Sequence, residues 1–436
     1  MVAGEDNQHP EHKRSLREGY EHEALCTAAL YGANAHGKTK LVEAIAFARN
    51  LILEGCRPGK SIPISPFRLE VDAYKQPSYC EFVIFQEGVE YTYGFLANST
   101  RIEEEWLFAR PTNNQEVSYF ERITDSQGHT HIELGSALSS PENEEDKFID
   151  YVARGTRDNQ LFLTEANERN IEALKPVYSW FSNTLTIVPT NREIDSLVLR
   201  AYDDSDYRDF ISSFLKLADT GIETIAIEEK SLNFENLSAS KKPRYASASK
   251  EFRKEFEDEI AEGIAGQIND QGLQLSEAVR STANGHALIR LKTVRHDNHG
   301  NAVPFDIDDE SSGTQRIMQL LPVLAEIRKS NRVYVVDELD RMLHPLLSHL
   351  FVETFLSFKN NKNCQLIFTT HETSLLNLDL LRRDEIWFVE KDQAGASHLY
   401  SLDSLKIRPD IKIERGYLQG RFGAIPFVGD ISTLGW

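Results

Sequence analysis

Short apolar runs and helical patterns alternate near the start of the chain. Ala24 to Tyr31 is an apolar run that stops at Gly32, which predicts a buried strand. Beyond the glycine, apolar residues recur at helical spacing, at Leu41, Ala44, Ile45, Ala48 and Ile52. The pattern therefore predicts a strand, a loop and a helix over residues 24–52.

The chain beyond residue 286 shows the same alternation on a longer scale. Two strands, "HALIRLKTVR" and "AVPFDI", are followed by the apolar runs "RVYVV", "QLIFTTH" and "DEIWFVEK". Helical patterns lie between them in "TQRIMQLLPVLAEIRKS", "HPLLSHLFVETFLSF" and "TSLLNLDLLR". Regular alternation of this kind predicts parallel strands covered by helices.

The middle of the chain changes character twice. Residues 78–109 alternate and are rich in aromatic and β-branched residues, which predicts an antiparallel meander that continues near 117–134. Residues 145–184 are mainly helical in pattern, and "TLTIVPT" closes them with a short strand. Residues 195–285 are charged and helix-forming, and we interpret them as a mainly helical insertion, with a continuation of the core as the alternative.

These patterns together predict an α/β protein with a parallel core sheet, an antiparallel β lobe and a mainly helical insertion. Three segments follow: residues 1–194 with the first part of the core and the β lobe, the insertion at 195–285, and the second part of the core at 286–436.

Composition narrows the class of protein. The chain has 436 residues, 40% of them hydrophobic, and a formal net charge of -20, so a large basic footprint for nucleic acid is not expected, although a local basic groove stays open. No apolar run has the length of a membrane helix and the N-terminus is unlike a signal peptide. We therefore expect a cytoplasmic protein without a membrane partner.

Metal or disulfide chemistry at cysteine and paired histidine positions is not expected. The four cysteines lie far apart and include no C-x-x-C pair, so buried free thiols are the better interpretation. The histidine pairs at 129/131 and 296/299 have no third ligand nearby in the sequence.

The loop after the first strand carries the strongest chemical motif. "GANAHGKT" fits G-x-x-x-x-G-K-[ST], in which backbone N–H groups surround phosphate oxygens, the lysine reaches the β- and γ-phosphates and the hydroxyl binds Mg²⁺. Guanine recognition is disfavoured because no N-K-x-D motif is present. We therefore expect ATP and Mg²⁺ as cofactors. The candidate nucleotide-binding residues are Gly32, Ala33, Asn34, Ala35, His36, Gly37, Lys38, Thr39 and Lys40, with Thr39 also a metal ligand.

Two later strands end in polar residues. "RVYVVDELD" places Asp337 and Glu338 at a strand tip, where one carboxylate can hold Mg²⁺ and the next can polarise an attacking water. "IFTTHETSLL" places His371 at the end of the next strand, where it can contact the γ-phosphate or hold the water. An acidic turn and a surface histidine are the plainer alternatives.

A third anion-binding candidate lies at a helix start. In "DDESSGTQR", Ser311, Ser312 and Gly313 open the helix that precedes the carboxylate strand. The plainer alternative is an ordinary N-cap. Because the glycine loop already surrounds the phosphates of its own site, a second anion site indicates that this helix serves a nucleotide held by another subunit.

The order of these motifs resembles the ABC-type ATPase heads of the SMC, RecF and OLD group. The strings "YGANAHGKT", "SSGTQR", "VVDELDRMLHPLL", "FTTHETSLL" and "GYLQGRFGAIPF" further resemble the ATPase subunits of bacterial anti-phage defence operons, including the PARIS, Septu and abortive-infection systems. The resemblance covers residues 24–110 and 286–436 and implies an ABC-type P-loop ATPase head.

The resemblance also implies roles for the motif residues. Lys38 and Thr39 would bind nucleotide and Mg²⁺, Asp337 would be the second Mg²⁺ contact, Glu338 the catalytic base and His371 the switch histidine. Ser312 and Gly313 would contact the γ-phosphate across the interface of a head-to-head dimer or a higher homo-oligomer, and Asp340, which follows the catalytic pair, would line that interface. Members of the group begin with a strand like F-x-S-F; nothing before Gly32 resembles it, so we expect this sheet to lack that strand and the chain to begin at an internal methionine.

Two classes of function remain. The first is a regulatory ATPase of a defence complex that senses a phage-derived trigger and holds or activates a separate effector. No nuclease site is visible in the chain, so the effector would be another protein, a TOPRIM or HNH nuclease encoded nearby. The alternative is a DNA-repair ATPase of the RecF or SMC kind that binds DNA directly.

The stretch "GRFGAIP" is either a docking segment or packs against the head.

Overall fold

In the computed structural model, one of two compact units contains a six-stranded sheet with five parallel strands. The structure describes residues 1–70, 72–73, 76–111, 115–125, 127–138, 144–190, 195–232, 277–282, 285–327, 331–357, 364–405 and 412–426. These residues form two compact units. The first unit is Met1–Pro189, Asn331–Leu339 and Lys362–Trp436, and the second is Thr190–Ser330 and Asp340–Asn361.

The described strands are numbered along the chain. In the first half they are β1 (Lys13–Ser15), β2 (Glu23–Leu25), β3 (Thr27–Tyr31), β4 (Ser78–Gln86), β5 (Val89–Ala97), β6 (Ile102–Arg110), β7 (Val117–Thr124), β8 (Thr130–Leu134) and β9 (Leu185–Val188). In the second half they are β10 (Thr224–Leu232), β11 (Glu277–Thr282), β12 (Gly285–His296), β13 (Ala302–Asp306), β14 (Val333–Val336), β15 (Gln365–Thr369), β16 (Ile386–Lys391) and β17 (Ser397–Ser401).

The described α-helices are numbered in the same way. They are α1 (Lys38–Glu54), α2 (Glu144–Gly155), α3 (Phe162–Glu168), α4 (Lys175–Ser179), α5 (Asp195–Asp203), α6 (Ser205–Leu217), α7 (Ser312–Glu326), α8 (Pro345–Ser357) and α9 (Ile413–Leu418). A π-helical turn, Trp180–Thr184, follows α4. None of the helices in the described residues combines the length and apolar character that crossing a bilayer requires.

The central sheet of the first unit has the order β17-β16-β3-β15-β14-β9. Strands β16, β3, β15, β14 and β9 run parallel to their neighbours, and β17 pairs antiparallel with β16 at the edge. Strands β3 and β14 are buried along their whole length, as expected of parallel strands covered on both faces. The predicted parallel core sheet is confirmed, whereas β17 was not predicted.

A five-stranded antiparallel meander, β4-β5-β6-β7-β8, forms the second layer of the same unit. Its apolar face packs into one core with α1, α3 and the π-helical turn, through Leu51, Phe95, Phe162 and Phe181 among others. The predicted β lobe is thus confirmed, and its alternating pattern follows from one buried and one exposed face.

A buried polar cluster fastens the meander to α3. Glu105 accepts hydrogen bonds from Tyr93 Oη at 3.0 Å and from the backbone N–H of Phe162 at 2.7 Å. The Arg122 guanidinium lies 3.6 Å from the same carboxylate. Burial raises the pKa of Glu105, while Arg122 and the hydrogen bonds oppose the shift.

The second unit is built around the antiparallel strands β10-β12-β11, with β13 on β12. The predicted helices of the insertion are present as α5 and α6, but Thr224–Leu232 and Glu277–Thr282 form strands where a mainly helical segment was expected. Strand β12 pairs with both, so the predicted boundary at residue 286 falls inside a sheet. The predicted helix "KEFRKEFEDEIAEGIAG" lies outside the described residues.

Another prediction is corrected in the first unit. The stretch "TSLLNLDLLR" was expected to be a helix, but it contains a 3₁₀ turn, Thr373–Leu375, followed by turns around Asn377. The Asn377 side chain accepts a hydrogen bond from the Asp379 N–H at 2.9 Å. An asparagine that bonds its neighbouring backbone in this way favours a turn over a continuing helix.

Candidate nucleotide-binding site

The glycine loop connects β3 to α1. Ala35 and Gly37 both take left-handed backbone angles, with φ of 64° and 106°, and Gly37 is the N-cap of the helix. This cap provides no side-chain hydrogen bond to the helix, whose first N–H groups have no intrahelical partner. A long helix that starts without a side-chain cap, directly after a glycine turn, is suited to bind phosphate.

Three predicted side chains at the start of α1 point to different surroundings. The buried Lys38 ammonium donates hydrogen bonds to the carbonyl oxygens of Gly32, at 2.7 Å, and Ala33, at 3.3 Å. The side chain thus folds back over the loop. Lys40 is exposed, and its ammonium lies 2.5 Å from Glu43 on the helix surface. Thr39 is exposed between them.

The β16–β17 hairpin supports the loop from behind. Ser397 Oγ donates a hydrogen bond of 2.7 Å to the His36 carbonyl oxygen. A Cβ atom on Gly37 would lie only 2.3 Å from that hydroxyl, and one on Gly32 would lie 2.6 Å from the Val389 carbonyl oxygen. These two oxygen atoms lie so close to the backbone that only glycine fits at either position of the motif. Ser397 was missed from the sequence because the strand that carries it was not predicted.

The carboxylates follow β14, two strands from the loop. Asp337 is buried, and its Oδ1 accepts hydrogen bonds from Thr369 Oγ1 at 2.7 Å and from Thr39 Oγ1 at 3.4 Å. A hydroxyl and a carboxylate oxygen side by side form a donor set that suits Mg²⁺. The predicted metal ligands Thr39 and Asp337 are thus brought together, although neither neighbours the other in sequence.

Glu338 has an unusual backbone conformation. Its φ of 47° is left-handed, which a non-glycine residue seldom adopts, and its N–H donates to Thr369 Oγ1 at 2.7 Å. The turn leaves the side chain half-buried, whereas Asp337 is buried. Thr369 holds both residues in place and was missed from the sequence; its place at the end of an apolar strand, before "TH", was the available signal.

His371 lies two residues beyond β15 and is exposed. The preceding Thr370 N–H donates to the Leu30 carbonyl oxygen at 3.1 Å, which fixes this end of β15 beside the end of β3. The glycine loop, the carboxylates and the histidine therefore follow the carboxyl ends of three adjacent parallel strands. Ligands of open α/β sheets bind at such an edge.

The remaining predicted residues belong to the second unit. Ser311 is the N-cap of α7, and its Oγ accepts from the Thr314 N–H at 3.2 Å, so the ordinary capping role is present. Ser312 is exposed at the first turn. A Cβ on Gly313 would lie 2.9 Å from the Met342 carbonyl oxygen. Asp340 is half-buried in the same unit.

Two other predictions concern packing. All four cysteines are free thiols, and burial raises the pKa of Cys26, just before β3, to about 12, which keeps it neutral. In the segment "GRFGAIP", Phe422 and Ala424 are buried, and Tyr400 Oη donates to the Phe422 carbonyl oxygen at 2.6 Å. This segment packs against the β16–β17 hairpin, as one of the two interpretations expected.

The fold and the glycine loop at its strand edge define the class: this is a P-loop NTPase. Residues 28–377 match the family described as "AAA domain, putative AbiEii toxin, Type IV TA system", and the chain belongs to that family. A comparison with curated proteins gives no match.

Several solved structures are similar to this chain at low identity. An SMC head bound to the C-winged helix domain of ScpA is 13% identical, with 87% of this chain and 92% of that chain covered and a TM-score of 0.34. The SMC head domain from Thermotoga maritima is 13% identical, with 91% and 98% covered and a TM-score of 0.30. The recombination mediator RecF with ATP is 15% identical, with 89% and 95% covered and a TM-score of 0.28.

Proposed function

We propose that this protein hydrolyses ATP at the edge formed by β3, β14 and β15 and works as a dimer of ABC-type heads. The observation that carries the proposal is the hydrogen-bonded group of Thr39, Asp337 and Thr369, next to the glycine loop that leads into Lys38. It joins a phosphate loop to a carboxylate strand within one unit.

The chain's own residues have distinct tasks in this proposal. Lys38 releases the loop carbonyls and turns its ammonium to the β- and γ-phosphates, and Thr39 with Asp337 holds Mg²⁺, which when bound neutralises developing charge on the phosphates. Glu338 accepts a proton from the attacking water. His371, exposed at the end of β15, orients that water or contacts the γ-phosphate.

The second half of each site comes from another copy in this proposal. Ser312 and Gly313 open α7, a 15-residue helix whose N-terminus favours anions. Because Ser311 performs the capping, the exposed Ser312 hydroxyl is available for a group outside the helix. Asp340 would lie at the same interface.

The biological role proposed is regulation of a defence effector in the bacterial cytoplasm. The family description names an AbiEii toxin and a type IV toxin–antitoxin system, and the motif strings resemble anti-phage ATPases. ATP-driven closure of the heads would respond to a phage-derived trigger and hold or activate a TOPRIM or HNH nuclease. Tight, salt-dependent binding of duplex DNA would instead favour the RecF-like alternative, which a net charge of -20 disfavours.

Mixing two inactive variants tests whether sites are shared. Lys38→Met removes the phosphate contact, and Ser312→Arg blocks the interface; each alone should lose ATPase activity. Mixed at equal amounts, they should recover about a quarter of wild-type activity if copies exchange at random, because one site of each mixed dimer is intact.

The matched control is a mixture of Lys38→Met with Glu338→Gln. Both residues lie in the first unit of one chain, so every site in that mixture carries a defect and activity should stay absent. No recovery in the first mixture, or equal recovery in both, contradicts sites completed by a second copy.

A further inference from the structure

The turn that leads into α7 is fixed by a buried carboxylate. Glu310 lies immediately before the cap residue Ser311, and its side chain is 4% exposed. Two guanidinium nitrogens of Arg295 contact it: Nη1 lies 2.5 Å from Oε1, and Nη2 lies 2.7 Å from Oε2. Thr293 Oγ1 donates a further hydrogen bond to Oε1. Each carboxylate oxygen therefore has a partner, in the two-pronged geometry that arginine forms and lysine cannot.

Hydrogen bonds keep this buried carboxylate charged. Burial raises the pKa of the Glu310 carboxyl, but the hydrogen bonds from Arg295 and Thr293 outweigh burial and hold the pKa below its ordinary value. Glu310 is thus ionised at neutral pH, as the partner of a guanidinium must be. Such a pair is costly to break, because removal of Arg295 would leave a buried negative charge without a counter-charge.

Arg295 is itself held by the sheet of the second unit. It lies on β12 opposite Val303 of β13, and its guanidinium carbon lies 5.2 Å from the centre of the Phe305 ring. Nη2 also donates to the Thr220 carbonyl oxygen at 3.3 Å, in the turn between α6 and β10. Strand β12 pairs with β10 and β11 of the insertion. The sheet that the insertion builds therefore supplies the group that holds the turn before α7.

A second contact fixes the backbone of the same turn. Nε2 of Gln315, in the first turn of α7, lies 3.1 Å from the carbonyl oxygens of both Ile307 and Glu310. Glu310 is thus held through its backbone by α7 and through its side chain by β12. Ser312 follows two residues later, so its position relative to the sheet is set by these contacts.

We propose that Arg295 is a positioning residue: through Glu310 it holds the exposed Ser312 where a nucleotide bound by a second copy meets it. This role rests on the proposed function, in which Ser312 completes the site of another copy. It connects the insertion, whose sheet carries Arg295, to the step of the ATP cycle that needs two copies. ATP binding by the chain's own glycine loop does not depend on it, because that loop lies in the first unit.

Two single substitutions break the pair. Arg295→Met and Glu310→Gln should each bind a fluorescent ATP analogue as wild type does. Both should release phosphate about 10- to 100-fold more slowly, since a displacement of about 1 Å at a reacting group can cost 100-fold. The matched control is Arg200→Met, which breaks the ion pair with Glu326 in the last turn of α7 and should retain ATPase activity.

Mixed copies show which half of the site is impaired. Arg295→Met mixed equally with Lys38→Met should recover about a quarter of wild-type activity, because one site of each mixed dimer combines an intact loop with an intact start of α7. Arg295→Met mixed with Ser312→Arg should recover none, because both chains are impaired at the same half. A residue needed only for folding would not recover activity with one of these partners alone.

Four results overturn the proposal: full activity in Arg295→Met and Glu310→Gln, loss of ATP binding in both, an equal loss of activity in Arg200→Met, or recovery with Ser312→Arg. If Lys38→Met and Ser312→Arg fail to complement each other, the shared site of the proposed function is wrong and the role of Arg295 falls with it. If those two do complement and Arg295→Met recovers nothing with Lys38→Met, only the role of Arg295 is wrong.

Discussion

The strand edge of the first unit and the start of α7 in the second unit both carry residues singled out by motif, but they are built differently. At the edge, Lys38, Asp337 and Thr369 are buried. Lys38 donates a hydrogen bond to a carbonyl oxygen of the glycine loop, and Thr369 donates one to Asp337. At the start of α7, Ser311 caps the helix and Ser312 is exposed. The proposed phosphate and metal site is thus organised by internal hydrogen bonds, whereas the surface proposed to meet another copy is exposed.

Among the substitutions at these two places, Glu338→Gln should cause the largest loss of ATPase activity. Loss of a general base lowers the rate by about 10²–10⁴-fold, while the neutral amide keeps the side-chain shape and the Glu338 N–H bond to Thr369. Phosphate release should fall by that factor with ATP affinity retained. Glu353→Gln, on the exposed face of α8, is the control, and unchanged turnover in Glu338→Gln would remove this residue from the catalytic role.

Lys38→Met should weaken ATP binding rather than turnover alone. Removal of a charged hydrogen-bond donor costs about 1.5–3 kcal/mol, which corresponds to roughly 10- to 100-fold in affinity. Equilibrium binding of a fluorescent ATP analogue measures it. Lys60→Met, an exposed lysine of the same unit, should bind normally, and equal affinity in the two variants would contradict a phosphate role for Lys38.

Ser311→Ala and Ser312→Ala should separate capping from function. Ser311→Ala should reduce stability by about 1 kcal/mol, because the Thr314 N–H loses its acceptor. Ser312→Ala should leave stability within about 0.5 kcal/mol yet lower ATPase activity. Thermal melting measures the stability of both variants, and phosphate release measures their ATPase activity. Full activity in Ser312→Ala would contradict a role for this serine at the ATP site.

The sequence predicts the edge well because local patterns specify it. Short, mainly apolar runs predict β3, β14 and β15, and a glycine, two carboxylates and a histidine follow their ends. The contacts that complete the edge are not local: Thr369 reaches Asp337 and Glu338 across strands, and Ser397 supports the loop through an edge strand with mixed pattern. Such partners become visible only when strand order is known.

The second unit was predicted less well for a related reason. Strand β10, "TIAIEEKSL", has three charged residues among its nine and lies in a segment of strong helix formers, so local propensity favours helix. Its pairing with β12 over nine residues outweighs that preference.

The left-handed backbone of Glu338 has a consequence for variation at this position. Glycine adopts a φ of 47° without steric cost, so Glu338→Gly would relieve a local strain that glutamate has to bear. Selection for thermostability alone would therefore enrich glycine here, while selection for ATP turnover would oppose it. At the residue immediately after Asp337, folding and the proposed activity therefore favour different amino acids, and the chain carries the one that folding disfavours.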